Sequence, residues 1–329
     1  MTDFSKIAST SSRFWESRIL HTAVELKLFD AIGGKTLSAR DIASSLSTEP
    51  RATEILLNAL VAMGLLNKDG SGFSNTPSSA KYLLTHSPEY YGEMILFDAS
   101  LWGVWENLPE SVRTGKPAKE PDMFQRSPEE TERFIMAMHS LVNSRGDAEL
   151  VAPMLGLEGV NSMLDVGSGP GTYPVAFLRK HPHLNITIFD LPATLEVTRK
   201  VLKKEGLCGR IKLYEGDYNN TPLPRGFDLV LMSNIIHSER EEENRSLIEK
   251  AYEALNPGGR IVIKDHVLNE SLTSPTAGAL FSVLMLLITK GRDYSFEELK
   301  SWLDRANFKD AELIPLPAPM NSSLVIGTK

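Results

Sequence analysis

A glycine-rich turn is the first feature of this chain whose residue types and spacing suggest chemistry. Gly167, Gly169 and Gly171 follow the apolar segment Ser162–Val166 and precede an amphipathic segment that begins at Thr172. Glycines between a strand and a helix let the backbone turn tightly and approach a ligand. The spacing departs from the dinucleotide fingerprint, because the third glycine comes one residue early and Thr172 takes its place. The turn therefore predicts a small-molecule site of another kind.

Carboxylates near this turn indicate the charge of the ligand. Asp165 directly precedes the glycines, where a carboxylate repels phosphate and attracts a cation. Asp190 ends the next predicted strand 19 residues after Gly171, close to the roughly 20-residue offset at which an acid binds ribose hydroxyls. Asp217 and Tyr218 end a third strand and offer a carboxylate and a ring to an adenine. These positions together predict S-adenosylmethionine, which leaves as S-adenosylhomocysteine.

The same residues have simpler structural explanations. Asp190 and Asp217 can serve as ordinary helix caps, and Tyr218 can be a core residue. The joint placement of the two acids with the glycines favours the cofactor site, whereas Tyr218 remains open between stacking and packing.

Short apolar strands alternate with amphipathic helices after Asn161, and this alternation predicts the scaffold that positions the turn. The predicted strands are Ser162–Val166, Ile186–Phe189, Lys212–Glu215, Asp228–Ser233 and Arg260–Asp265. The predicted helices are Thr172–Lys180, Ala193–Glu205, Glu241–Ala254 and Ser295–Ala306. Repeated βα units predict an α/β fold with a doubly wound parallel sheet. The segments Ala311–Pro315 and Ser322–Gly327 have no helix between them, so we expect them to close the sheet as an antiparallel hairpin.

The first hundred residues predict three helices followed by a hairpin, which is the order of a winged helix. The helices are Arg18–Ile32, Ala39–Leu46 with Ser38 as its N-cap, and about Pro50–Met63. Turn residues 69–72 indicate the hairpin. The residues expected to face inward are Ile19, Ala23, Leu26 and Ile32 in the first helix and Ile55, Leu56, Ala59 and Leu60 in the third.

A winged helix suggests DNA binding, but the charge of residues 1–100 argues against it. Acidic side chains outnumber basic ones by two in this region. The third helix offers Arg51 and Glu54 and is then almost wholly apolar. Because such a helix needs protein against it, we favour a dimerisation module and keep DNA binding as the alternative.

The composition excludes several classes of protein. The chain has 329 residues, of which 42% are hydrophobic and 23% charged, so it is neither disordered nor fibrous. A net charge of −7 argues against a partner as acidic as nucleic acid. Its one cysteine, Cys208, fits a reducing compartment. The polar N-terminus lacks a secretory pattern, and the longest apolar run, residues 277–288, is shorter than the roughly 20 residues of a membrane span. We expect a cytoplasmic protein of one or two domains.

The motifs LDVGSGPG, IFD, EGDY, SNIIHSE and NPGGRIVIKD resemble those of the class I S-adenosylmethionine-dependent O-methyltransferases of the caffeate, acetylserotonin and bacterial polyketide-tailoring type. The resemblance extends over nearly the whole chain. It implies a Rossmann-like, seven-stranded methyltransferase sheet with an N-terminal, mainly helical, winged-helix-like dimerisation domain. The implied domains are residues 1–100 for dimerisation, 101–150 as a helical connector that contributes to the substrate pocket, and 151–329 for catalysis. The implied partners are a small aromatic or polyketide-like acceptor and a second copy of the chain.

The resemblance also implies roles for individual residues. The cofactor-binding residues are Asp165, Gly167, Gly169, Gly171, Asp190, Leu191, Asp217, Tyr218 and Ser233. His237 falls where the family has its general base, and Asp265 falls where it has a glutamate that orients that histidine. Asp293 matches a second such acid more loosely. Both aspartates are one methylene shorter than glutamate, so either the histidine sits closer or one contact is lost.

The acceptor pocket and the exact reaction have alternatives. By the family's pattern the pocket is lined by Trp102, Trp105, Phe134, Met138, Phe281 and Met285, although each can equally be a core residue. A C- or N-methyltransferase on the same scaffold is one alternative. Another is a non-catalytic S-adenosylmethionine-binding regulator that uses its winged helix on DNA. His237 and His266 can also share a metal with an acid, but they lack a metal-binding spacing, so we predict no metal.

Overall fold

The computed structural model describes residues 3–329, which form two compact units. The units divide between Trp102 and Gly103, inside the short helix α8 (Trp102–Trp105). The helices of the N-terminal unit that precede α8 are α1 (Asp3–Ser12), α2 (Phe14–Glu25), α3 (Leu28–Ile32), α4 (Ala39–Leu46), α5 (Pro50–Ala62), α6 (Pro77–Tyr82) and α7 (Gly92–Ser100). Its strands are β1 (Leu37–Ser38), β2 (Leu66–Asp69) and β3 (Gly72–Asn75), which form a sheet in the order β1-β3-β2.

The predicted hairpin and the second helix agree with the structure. Strands β2 and β3 pair antiparallel across Gly70. Helix α4 spans the predicted residues, and the Ser38 side chain accepts a hydrogen bond from the backbone N–H of Asp41, as an N-cap does.

Two details of the N-terminal helices are wrong in the sequence prediction. The single helix Arg18–Ile32 is broken, because Lys27 adopts a left-handed φ of 55° between α2 and α3. Leu26 is therefore 37% exposed. In α5, Ile55 is 56% exposed, and the inward face is formed by Thr53, Leu57 and Leu60. These three recur at i, i+4 and i+7, the spacing of one helical face, but adjacent leucines and alanines made the neighbouring face equally apolar in sequence.

The C-terminal unit is built on a seven-stranded sheet in the order β11-β12-β8-β7-β4-β5-β6. Its strands are β4 (Ser162–Val166), β5 (Asn185–Asp190), β6 (Ile211–Glu215), β7 (Phe227–Ser233), β8 (Leu255–Asp265), β11 (Lys309–Pro315) and β12 (Ser323–Thr328). Strands β4 to β8 pair with one another in parallel, whereas β12 is antiparallel to both β8 and β11. The predicted doubly wound sheet and its closing hairpin are confirmed. A separate short parallel pair joins β9 (Val267–Leu268) to β10 (Tyr294–Ser295).

Helices and buried side chains cover the sheet. The helices of this unit after α8 are α9 (Leu108–Thr114), α10 (Pro128–Arg145), α11 (Asp147–Val151), α12 (Thr172–Lys180), α13 (Pro192–Lys204), α14 (Glu241–Ala254), α15 (Thr276–Ile288) and α16 (Phe296–Arg305). Strand β4 contributes side chains to two buried apolar clusters. Met163 belongs to one cluster, and Leu164 and Val166, which point to the other face of the strand, belong to the second. Since both clusters are apolar, the central strand reads as a nearly continuous hydrophobic run.

The helical spacing of Phe134, Met138 and Leu141 predicts one helix from Pro128 to about Val151, but the structure breaks it in two. Gly146 takes a φ of 66° and ends α10, and α11 begins at the next residue. A glycine after a helical run is a common C-terminal signal, and the apolar periodicity on both sides of Gly146 hid it.

The apolar segment noted in the sequence forms α15. None of the helices within residues 3–329 combines the length and the apolar character that a membrane crossing requires.

Candidate active site

The glycine turn lies between β4 and α12, and its conformation requires glycine. Gly167, Gly169 and Gly171 have φ values of 66°, 58° and 78°, in the left-handed region that other L-residues rarely adopt. A Cβ at Gly167 would lie 2.7 Å from Cγ2 of Ile235. The turn thus presents bare backbone beside the segment that follows β7.

Two buried aspartates lie against this turn. Asp190 accepts hydrogen bonds from the backbone N–H groups of Gly169 at 2.8 Å and Leu191 at 2.7 Å, so it holds the turn against the end of β5. Asp165 accepts one from the Ser168 hydroxyl at 2.6 Å, and its Oδ1 has no hydrogen-bond partner within residues 3–329. Burial raises the pKa of Asp165 to about 7 and that of Asp190 to about 6.

These features fit a cationic ligand. A buried carboxylate oxygen without a partner is costly, and a ligand that donates a hydrogen bond or brings a positive charge removes that cost. The carboxylate acceptor at the end of β4 therefore suits the cationic amino group of S-adenosylmethionine, the cofactor that the sequence predicts for this turn.

The predicted adenine residues form a tight turn after β6. The Asp217 carboxylate accepts from the backbone N–H of Asn219 at 2.9 Å and the side-chain amide of Asn220 at 2.6 Å. The Tyr218 hydroxyl donates to Glu239 at 3.2 Å. Asp217 thus shapes its own loop, as an ordinary turn acid does, while the loop still lies at the carboxyl edge of the sheet.

The remaining predicted cofactor residues lie at the same edge. Leu191 precedes α13 as its N-cap residue. Ser233 ends β7, and its hydroxyl is 3.4 Å from Oδ1 of Asn234.

His237 and Asp265 form a buried pair. His237 lies in a 3₁₀ turn (Ile236–Ser238) after β7, and Asp265 ends β8. Parallel pairing aligns Ser233 with Lys264, so both strands deliver their following residues to one edge. The His237 Nδ1 is 2.7 Å from Oδ1 of Asp265, and its backbone N–H donates to the other carboxylate oxygen at 3.3 Å.

The aspartate controls the protonation of the histidine. Burial alone lowers the pKa of His237, but the charge and hydrogen bond of Asp265 outweigh it, so the pKa lies above its ordinary value. The shortened acid has kept its contact, because β8 brings Asp265 next to the turn.

Asp293 is near this pair but is not bonded to it. One polar atom each of His237, Asp265 and Asp293 lie within 4.8 Å of one another. Neither carboxylate oxygen of Asp293 has a hydrogen-bond partner in the described part of the chain. Burial, with the nearby Asp265 charge, raises the pKa of Asp293 to about 8, so it keeps its proton at neutral pH. Of the two predicted acids, only Asp265 contacts the histidine.

The predicted pocket residues are distributed unevenly. Phe281 of α15 packs edge-on against His237, with ring centroids 5.0 Å apart, and against His266 at 4.6 Å. Met285 is buried one turn further along the same helix. Phe134 stacks on Phe124 at 4.6 Å. Phe281 is therefore the predicted pocket residue that touches the candidate base.

The other predicted pocket residues lie elsewhere. Met138 is half-buried on α10, and Trp105 is exposed on α8. Trp102 packs against Phe14 and His21 of α2, so the ring contacts described for it lie within the N-terminal unit.

Sequence reasoning missed several residues that hold the histidine turn. Lys264 is buried on β8, its pKa is lowered to about 8 by burial, and it donates to the Asn234 side chain at 2.6 Å. Asn244 donates to the carbonyls of Ile236 and Glu239, and Tyr294 donates to that of Glu239, so these two residues hold the turn and the residue that follows it. A lysine inside the apolar run of β8 was a visible signal for Lys264, whereas the Glu239-to-Glu243 run resembled a solvated helix start.

Models of two protein families match this chain. The model of the O-methyltransferase domain matches residues 105–309, and the model of the O-methyltransferase dimerisation domain matches residues 8–85.

Individual relatives extend over the same length. A 3-hydroxy-5-methyl-1-naphthoate 3-O-methyltransferase of Streptomyces sahachiroi is 31% identical, over 98% of this chain and 94% of that protein. The tetracenomycin polyketide synthesis 8-O-methyltransferase of Streptomyces glaucescens is also 31% identical, over 98% of this chain and 96% of that protein. The crystal structure of human N-acetylserotonin methyltransferase in complex with S-adenosylmethionine has a TM-score of 0.90 at 25% identity, and the match covers 100% of this chain and 98% of that one.

The buried pair yields a prediction about titration. Asp265→Asn removes the charge that opposes desolvation, so the pKa of His237 should fall below its wild-type value, as read from the histidine ring resonances by NMR. A raised pKa in the folded protein means that protonation of His237 adds stability below the unfolded-state pKa of about 6.5, and this contribution is lost as pH rises through the folded pKa. The variant should lack that pH-dependent contribution. Asp304→Asn, on the exposed side of α16, is the control, and an unchanged His237 titration in Asp265→Asn would contradict the assignment.

Proposed function

The chain belongs to the O-methyltransferase family, and on that premise we propose that it methylates a hydroxyl of a small aromatic or polyketide-like acceptor, with His237 as general base. The cofactor of the family is S-adenosylmethionine, so the protein is an S-adenosylmethionine-dependent O-methyltransferase. The observation that carries the proposal is the contact of 2.7 Å between His237 and Asp265 at the edge where β4 presents its glycine turn.

The cofactor fits residues at the carboxyl ends of four strands. Bound S-adenosylmethionine supplies a methyl group made electrophilic by its sulfonium. Its amino-acid end is assigned to Asp165 and the turn Gly167, Gly169 and Gly171, together with Ser233. Its ribose is assigned to Asp190 and Leu191, and its adenine to Asp217 and Tyr218. The unpartnered oxygen of Asp165 and the side-chain-free turn support this assignment.

The chemistry of this chain's own residues is proton removal and its control. With Nδ1 donating to Asp265, Nε2 of His237 is left to accept a proton from the acceptor hydroxyl as the oxygen forms its bond to the methyl carbon. The Asp265 carboxylate then stabilises the imidazolium. A phenol has a pKa of about 10, so a positioned base speeds its reaction at neutral pH.

Asp293 is proposed to act on the charge of the site and not by a hydrogen bond to His237. Its raised pKa favours the protonated form at neutral pH, which limits the second negative charge beside His237. We assign it a supporting catalytic role in keeping the site's net charge low, which lets the imidazole lose its proton again after each turnover.

The acceptor is assigned to an aromatic wall. Phe281 and Met285 on α15, Phe134 and Met138 on α10, and Trp105 on α8 are the proposed contacts. Phe281 already packs edge-on against the base, and a flat ring held against its face would bring a hydroxyl towards Nε2. The two Streptomyces relatives are named for a naphthoate and for a polyketide, which supports a planar aromatic acceptor.

The N-terminal unit is proposed to form a homodimer. The proposed division is residues 1–100 for dimerisation, 101–150 as connector and 151–329 for catalysis. Several apolar side chains are exposed on its first two helices: Phe4, Ile7, Phe14 and Trp15. A patch of this kind commonly marks a protein interface. We propose no nucleic-acid or membrane partner, and a cytoplasmic location in keeping with the free thiol of Cys208.

The base is tested by His237→Ala. Labelled S-adenosylmethionine is first used with phenolic, catecholic, quinol and polyketide acceptors, and the methylated atom of the product is identified. For the best acceptor, kcat should fall by roughly a hundredfold or more in His237→Ala, while calorimetry shows the affinity for S-adenosylhomocysteine kept. Normal turnover of the variant would remove the general-base role, and methylation at carbon or nitrogen would overturn the acceptor class.

The cofactor site is tested by Asp190→Ala. The variant loses the ribose acceptor and releases the Gly169 N–H, so binding of S-adenosylhomocysteine should disappear in calorimetry. Glu312→Ala, exposed on β11, is the matched control and should bind normally. Unaltered binding by Asp190→Ala would show that the cofactor lies elsewhere.

The dimer is tested by light scattering coupled to gel filtration. The wild-type chain should have the mass of two copies, and Trp15→Glu should shift it towards the monomer because a buried charge opposes association. Leu313→Glu on the edge strand β11 is the control. A stable wild-type monomer would refute the homodimer.

A further inference from the structure

Glu239 connects two loops that the proposed mechanism uses separately. It directly follows the 3₁₀ turn of His237 and is only 6% exposed. Its Oε1 accepts hydrogen bonds from the Tyr218 hydroxyl at 3.2 Å and from the Asn219 side-chain amide at 2.9 Å. The side chain of one loop is therefore bonded to the side chains of the other.

The backbone of Glu239 is anchored as well. Its carbonyl oxygen accepts from the Tyr294 hydroxyl at 2.7 Å and from the Asn244 amide at 3.1 Å. The same Asn244 amide donates to the carbonyl of Ile236 at 2.8 Å, so it brackets the histidine turn. Gly291 approaches so closely that a Cβ there would lie 2.4 Å from the carbonyl oxygens of both His237 and Glu239. The backbone of the turn is thus held at several points. The Glu239 side chain is what links it to the loop of Tyr218.

The loop after β6 that contains Asp217, Tyr218 and Asn219, here called the adenine loop, has an anchor of its own. Lys250 of α14 donates to the carbonyls of Tyr218 at 2.6 Å and Asn219 at 2.9 Å. Lys250 holds the backbone of this loop, while Glu239 contacts its side chains. A movement of the Tyr218 ring therefore reaches the histidine turn through Glu239.

The second carboxylate oxygen of Glu239 makes the side chain dependent on Tyr218 and Asn219. Oε2 is buried and has no hydrogen-bond partner within residues 3–329, so the carboxylate depends on its two donors at Oε1. Losing one of these donors would leave a buried polar group poorly satisfied, which is costly inside a protein. A ligand that fixes Tyr218 should stabilise Glu239, and by reciprocity an ordered Glu239 should favour that ligand.

We propose that Glu239 is a positioning residue that couples cofactor occupancy at Asp217 and Tyr218 to the order of the His237 turn. The inference rests on the proposed function, because it takes Tyr218 as an adenine contact and His237 as the base. Its consequence is that cofactor binding adds further order to the turn that carries the base.

The test compares Glu239→Ala with Glu239→Gln, Tyr218→Phe and the control Glu242→Ala, which changes an exposed residue in the first turn of α14. Hydrogen exchange is measured at the amides of residues 235–239, without and with saturating S-adenosylhomocysteine. In the wild type and in Glu242→Ala, the ligand should slow exchange in this turn about tenfold. In Glu239→Ala this slowing should disappear, although the ligand still slows exchange in the glycine turn.

The conservative variants separate coupling from folding. Glu239→Gln keeps an acceptor at Oε1, so it should retain most of the slowing, whereas Tyr218→Phe removes only the hydroxyl and should lose part of it. In Glu239→Ala, the affinity for S-adenosylhomocysteine and the kcat at saturating cofactor should each fall about tenfold. If Glu239→Ala fails to fold, the Gln and Phe variants carry the test.

The outcomes distinguish the two proposals. Ligand-induced slowing that persists at residues 235–239 in both Glu239→Ala and Tyr218→Phe overturns the coupling and leaves the cofactor site intact. A higher cofactor KM with unchanged kcat in Glu239→Ala also overturns it, because the residue then acts on binding alone. Failure of the wild type to bind S-adenosylhomocysteine refutes the proposed function itself.

Discussion

The site depends on the parallel pairing of β4 with β5 and β7, and of β7 with β8. Parallel neighbours end at the same edge of a sheet, so residues that are far apart in sequence become neighbours there. Asp190 reaches Gly169 across one strand boundary, and Asp265 reaches His237 across another. A slip of one residue between β4 and β5 would turn Asp190 to the other face and away from Gly169, and a slip between β7 and β8 would separate Asp265 from His237.

Burial then assigns the charges of the carboxylates at this edge. Asp165 and Asp293 lose their water without gaining a cation, and their pKa values rise. Asp265 is equally buried, but the facing His237 holds its pKa below the ordinary value. Residues of one chemical type thus differ in protonation because of their neighbours, and a negative charge is kept beside the histidine.

The sequence predicted what depends on local pattern and missed what depends on packing. The alternation of strands and helices was sufficient for the sheet, and the bounds of α12 and α14 agree to the residue because glycine, lysine and acidic residues mark their ends. The break at Lys27 was not predictable, since neither glycine nor proline marks it. The different environments of Asp265 and Asp293 could not be predicted from the sequence, because each is a single aspartate whose protonation is set by its tertiary neighbours.

The antiparallel strand β12 has a consequence for the order of assembly. It lies between β8 and β11, and Ser323 pairs directly with Asp265. During synthesis β4, β5 and β7 can pair before β8 gains its outer neighbour, since residues 323–328 are made some sixty residues after Asp265. The strand that supplies the acid therefore lacks its outer neighbour while about the last sixty residues of the chain are made. Until β12 is added, the aspartate is held by the pairing of β7 with β8 alone, so a ribosome-bound chain that lacks β12 should have a formed glycine turn but a less firmly held histidine–aspartate pair.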